Sequence, residues 1–129
     1  MQPRDVMIKW LADNIPALLI EPEDRSLFDV VGVVNGNGAR AIYSLEVNER
    51  WTGDWPDNWK SVYIPTKNKK LLTEWKKLYK DDLYTFVIFR KDLKKAWHVA
   101  ADIVAASKIS GENYIISIRD TYQVDMIND

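Results

Sequence analysis

Apolar residues recur at helical spacing over residues 3–15, where Val6, Met7, Trp10, Leu11 and Ile15 share one face. Pro3 is tolerated in a first helical turn and Pro16 ends the run, so the pattern predicts an amphipathic helix. Residues 17–20 are a short apolar run that stops at the polar stretch 21–26. The period then changes. Residues 27–34 (LFDVVGVV) and 39–48 (ARAIYSLEVN) are β-rich, and Asn35-Gly36-Asn37-Gly38 between them predicts a hairpin. A polar and aromatic loop with Gly53 and Pro56 occupies residues 49–60, and residues 61–64 then lead through Pro65 to Thr66, a predicted N-cap. From there Leu71, Leu72, Trp75, Leu78 and Tyr79 mark a second helix, over residues 66–80, whose opposite face carries Lys67, Lys69, Lys70, Lys76 and Lys77. Residues 83–89 (LYTFVIF) read as a buried strand, 90–95 as a charged turn and 96–100 as its hairpin partner. A short helix is expected at 102–108 and a last strand at 113–119 (NYIISIR), before an acidic tail.

The element order is α-β-β-β-α-β with a β extension, and neither repeats nor low-complexity segments interrupt it. The hairpin strands are apolar on both faces: Phe28, Val30, Val34, Tyr43, Leu45 and Val47 fall on one side, Leu27, Val31, Val33 and Ile42 on the other. Such strands need cover above and below, which predicts an α/β fold, a central sheet flanked by helices. At 129 residues, 47% of them hydrophobic, the chain reads as one domain, residues 1–129, with its core at about 4–100 and the extension and tail at 101–129.

The hairpin also places side chains. With Val34 opposite Ala39, Asp29 falls opposite Ser44, so Asp29, Glu46 and Asn48 are expected on one face of the sheet. Asp29 and Glu46 then lie on a diagonal with backbones roughly 7–8 Å apart, a separation that lets two carboxylates converge on one hard cation such as Mg²⁺. Composition narrows the chemistry to that kind. The chain has no cysteine and one histidine, His98, which excludes disulfides, thiolate metal sites and thiol nucleophiles and leaves oxygen ligands for any metal. His98 itself, beside Trp97 in a predicted strand, reads as a structural or surface residue rather than a catalyst. The net charge of −1 conceals segregation: residues 1–59 carry −5, residues 60–95 carry +7 and residues 96–129 carry −3. The acidic part suits a hard cation and the basic middle suits a polyanion. Apolar runs stay below the roughly 18 residues of a membrane span, and the start MQPRDVMIKW lacks a signal-peptide pattern, so a soluble protein with a cytoplasmic, intracellular location and no membrane partner is expected.

The helix, then LFDVVGV, a glycine hairpin, YSLEVN, VYIP ahead of a lysine-bearing helix, YTFVIF and AWHVA together resemble the core of the PD-(D/E)xK nucleases, nearest the archaeal Holliday-junction-resolvase branch, over residues 4–100. The resemblance implies a restriction-endonuclease-like αβββαβ core and a Mg²⁺- or Mn²⁺-dependent endonuclease acting on DNA, including branched or single-stranded forms, with a homodimer as the candidate assembly. It puts the metal ligands on Asp29 and Glu46, and the catalytic lysine position on Asn48, so the motif reads D…ExN. Lys60, Lys67 and Lys69 are candidates to supply the missing charge, Asp5 is the acidic residue nearest the family's first-helix position, and Lys60, Lys67, Lys69, Lys70 and Lys76 are the candidate nucleic-acid contacts. Trp51, Trp55 and Trp59, four apart in a loop that follows Glu46, are either packing residues or a surface that stacks on unpaired bases. Two alternatives stand beside the enzyme: a nuclease fold retained for nucleic-acid binding or assembly, and a module that uses the tryptophan loop for sugar or protein.

Overall fold

The computed structural model describes residues 1–21, 27–34, 36 and 38–127. The polar stretch 22–26, the turn residues Asn35 and Asn37, and the last two tail residues lie outside the described residues. Helix α1 (Pro3–Asn14) begins where Gln2 N–H donates to Asp5 Oδ2 at 3.1 Å, and it buries Val6, Met7 and Leu11. No helix among the described residues is long and apolar enough to cross a membrane.

Strands β1 (Leu18–Ile20), β2 (Val30–Val34) and β3 (Arg40–Asn48) form an antiparallel meander. The β2–β3 register pairs Val30 with Tyr43, Val31 with Ile42, Gly32 with Ala41 and Val33 with Arg40, as the Asn-Gly hairpin predicts. Gly36 and Gly38 adopt φ of 104° and 73°, and Val34 N–H closes the turn on Ala39 O at 2.7 Å. Only glycine enters these left-handed regions without strain. After β4 (Ser61–Pro65), helix α2 (Lys69–Leu78) carries the chain over to β5 (Leu83–Arg90), which runs parallel to β3 from Ala41↔Leu83 to Asn48↔Arg90. β6 (Lys95–Ala100) returns antiparallel to β5, and α3 (Ala101–Ala106), β7 (Lys108–Ser110), β8 (Asn113–Ser117) and β9 (Tyr122–Asp125) complete the chain. One six-stranded mixed sheet has the order β1-β2-β3-β5-β6-β9, and a small sheet has the order β4-β8-β7.

Two cores result, one on each face of the large sheet. Val6, Met7 and Leu11 of α1 pack with Val30, Tyr43, Val87 and Phe89. Leu72 and Trp75 of α2, Val104 of α3 and Ile64 and Ile116 of the small sheet pack with Ile42, Tyr84 and Phe86. The flanked sheet agrees with the sequence reading. Three details differ. The tail adds β9 to the large sheet through Trp97↔Gln123 and its neighbours, and β7 pairs with β8; both strands are too short and mixed in composition to show a period. Thr66 does not cap α2. Its N–H and Oγ1 both donate to Glu112 O, at 2.8 and 3.1 Å, and a 3₁₀ turn over Thr66–Asn68 precedes the helix. Phe28 packs in the α2-side core rather than with Val30, because residues 27–29 bend and the alternation of the strand ends there.

Candidate active site at the open end of the hairpin

β2 begins at Val30, opposite Tyr43, whereas β3 continues to Asn48 with β5 as its only ladder partner there among the described residues. On the open edge of β3, Leu45 N–H donates to Asp29 Oδ2 at 2.7 Å, so a carboxylate takes the place of a strand carbonyl. The bend that aims Asp29 there also sends Phe28 inward against Tyr84, with ring centroids 5.0 Å apart, while Arg4 Nε holds Asp29 O at 3.3 Å. Tyr84 OH and Ser44 Oγ are 2.7 Å apart and buried. Burial drives the Tyr84 phenol well above its ordinary range, the Ser44 hydrogen bond works the other way, and the negative charge of Asp29 adds to the rise.

Glu46 stands two residues beyond Ser44 on the same face of β3. Its Oε1 lies 3.3 Å from Lys67 Nζ and accepts from Asn68 Nδ2 at 3.4 Å. Both partners come from the 3₁₀ turn, and Asn68 is anchored by a second bond to Pro65 O at 3.0 Å. The Lys67 side chain is 69% exposed and that of Glu46 23%, so the pair adds little to stability and remains open to incoming groups. The Asn48 side chain takes part in a turn. Its Oδ1 accepts from Arg50 N–H at 3.0 Å and its carbonyl from Trp51 N–H at 3.1 Å, which ends β3 and delivers Trp51 into the core at 1% exposure.

Glu46 and Asn48 line one cavity of about 550 Å³ together with Trp55, Trp59, Lys60 and Tyr63. Asp29 borders a different concavity with Arg4, Phe28 and Leu45. Thus Glu46, Asn48, Lys60 and Lys67 are brought together, Asp29 reaches the same strand from its far edge, and Lys69, Lys70 and Lys76 stand exposed on α2. Asp5 serves the start of α1. The sequence held Lys67 as one of three candidate lysines but gave no sign of Asn68 or of which lysine meets Glu46, because β4 must first pair with β8 before the turn at Thr66 is placed. The tryptophans divide: Trp51 is core, whereas Trp55 and Trp59, with centroids 5.1 Å apart, form a wall fixed by Trp55 Nε1 donating to Trp59 O at 2.7 Å. His98 is structural, edge-on to Trp10 and 3.3 Å from Met126 Sδ, and burial lowers its pKa to about 4.

No three His, Cys, Asp or Glu side chains among the described residues are grouped to share a metal ion. The donor set nonetheless suits a hard cation: Asp29 is exposed, Glu46 is partly so, and Mg²⁺ asks for only one or two carboxylates beside water and substrate phosphate.

No protein-family model matches the chain, and no curated protein matches it. Among solved structures it is similar to Hjc, a Holliday junction resolvase from the archaeal hyperthermophile Archaeoglobus fulgidus, with a TM-score of 0.52 and 13% identity over 88% of this chain and 86% of that one. The likeness is one of fold: a mixed sheet flanked by helices, of the restriction-endonuclease-like kind.

Proposed function

We propose that the open end of the hairpin is a divalent-metal-dependent endonuclease site that hydrolyses DNA phosphodiester bonds. The observation that carries this reading is the approach of Lys67 Nζ to Glu46 at 3.3 Å, which returns a lysine to a site whose motif position holds Asn48. Asp29 and Glu46 would hold the cation, Mg²⁺ or Mn²⁺, at the end of β3. When bound, such a cation would supply charge neutralisation at the scissile phosphate and a lowered pKa for the attacking water. Lys67 orients that water and offsets the charge that develops on the phosphate. Lys60 at the cavity and Lys69, Lys70 and Lys76 on α2 attract the phosphate backbone without reading sequence. The fold likeness to a resolvase supports the reaction class.

One observation favours a second reading, a nuclease fold kept for nucleic-acid binding or assembly: the Asn48 side chain is committed to the turn at Arg50. Incubation of branched and single-stranded DNA with the protein and Mn²⁺ separates the two. The nuclease reading expects cleavage by the wild type and a loss of about 10²-fold in Lys67→Ala. A wild type inert on every DNA form, yet still binding it, leaves the second reading in its place.

A further inference from the structure

We infer that the cavity beside Glu46 seats a single unpaired nucleobase of a DNA strand, which makes DNA with extruded or unpaired nucleotides, rather than continuous duplex, the substrate class. This inference rests on Glu46 belonging to a nuclease site. Its ground is the mixture of groups around one concavity of about 550 Å³, a size typical of small-molecule sites. Trp55, Trp59 and Tyr63 supply aromatic surface. Tyr63 is 56% exposed between the buried Val62 and Ile64 of β4, so its ring faces outward from a rigid strand. The Trp55–Trp59 wall is already held by its own hydrogen bond and edge contact, so little ordering is needed on binding.

An aromatic wall alone would suit any flat apolar ligand. Here the amides of Asn58 and Asn113 line the same cavity, and each offers a donor and an acceptor to the polar edge of a base. Lys60 and Arg50 add cations for the phosphates on either side of it. Glu46, the acidic group in the lining, has its charge offset by Lys67, so a polyanion is not turned away. Stacking is sequence-tolerant because every base has a π-face. A base inside a duplex must first be unstacked and unpaired to enter such a pocket, and an unpaired base has already met that cost.

The test uses the full chain in EDTA, where cleavage cannot contribute. Two fluorescent duplexes are titrated, identical except that one carries a single unpaired thymidine and the other an abasic residue at that position. The expected result is about tenfold tighter binding of the unpaired thymidine, with the preference erased in Tyr63→Ala and in Trp59→Ala while affinity for the abasic duplex is unchanged. The exposed position of Tyr63 keeps that variant folded, which thermal unfolding verifies. Equal affinities for the two duplexes, no binding of either, or a preference that survives both substitutions overturns the inference. A base preference without Mn²⁺-dependent cleavage retains the seat and removes the nuclease reading; cleavage without a base preference does the reverse.

Discussion

The two ends of the β2–β3 hairpin are made from the same pair of strands and do opposite things. At the turn end both strands are present, every residue from Val30 to Val33 has a partner on β3, and the small Gly32 lets Leu18 of β1 press against it. At the open end β2 has not yet begun, β3 runs on, and a β3 backbone group is met by the carboxylate of Asp29. An unequal pair of strands thus leaves one end of β3 uncovered. The unmatched length exposes Glu46 and Asn48 at the rim of a cavity and draws a side chain into the role of a missing strand. The turn end should therefore respond to mutation in stability alone, and the open end in activity.

The largest effect is expected at the open end. Glu46→Gln keeps the size and the Asn68 contact but removes the charge, and loss of a metal carboxylate forfeits several kcal/mol of transition-state stabilisation, on the order of 10²–10³ in rate. Single-turnover cleavage of branched DNA with Mn²⁺ measures it, and the thermal midpoint should move little. An unchanged rate would erase the distinction between the two ends.

A second effect lies outside both ends and separates stability from the site. His98, beneath Trp10, has its folded pKa lowered to about 4 from 6.5. The unfolded chain then binds the extra proton between those values, so the stability this site contributes is complete above about pH 6.5 and is lost as pH falls toward 4. Between pH 7 and pH 5 the loss should be about 2 kcal/mol. Urea unfolding at the two pH values checks it, and His98→Leu should flatten the difference; an equally steep loss in the variant would place the titrating group elsewhere.

The smallest expected effect is at the turn end. A Cβ on Gly32 would lie 2.5 Å from Leu18 Cγ, and because β1 is an edge strand that can shift, Gly32→Ala should cost about 1–2 kcal/mol. Denaturant midpoints report the cost, with cleavage per folded molecule unaltered. A fall in cleavage beyond the loss of folded protein would show that the two ends are coupled.

How far each end could be read from sequence follows the same division. The turn end was legible because Asn-Gly chemistry and the period of two act locally, and four observed pairs keep the expected register. The crossover helix α2 was equally plain from its apolar face, whereas no local pattern told that β4 leaves the large sheet to pair with β8. At the open end local rules cease. Phe28 lies on the opposite side from that expected because the bend at residues 27–29 breaks the alternation, and the same bend directs Asp29 to Leu45 N–H rather than straight out from a strand. Of the candidate lysines, Lys67 is singled out only by the long-range pairing of β4 with β8 and the grip of Glu112 on Thr66. Asn48 looked like an altered catalytic residue, and its side chain proves to shape the turn that buries Trp51. β9 was hidden because YQVD alternates too briefly to declare a strand, and only the open edge of β6 gives it a place.

A crystal of the wild-type protein soaked in Mn²⁺ and measured for anomalous scattering bears most directly on the open end as a metal-dependent site. The expected result is one strong peak at the end of β3, about 2.1 Å from a Glu46 carboxylate oxygen and approached by Asp29, with Lys67 displaced from Oε1. The peak should vanish in Glu46→Gln. No peak at β3, or a peak there that persists in Glu46→Gln, would contradict the assignment of this end of the hairpin as the catalytic centre.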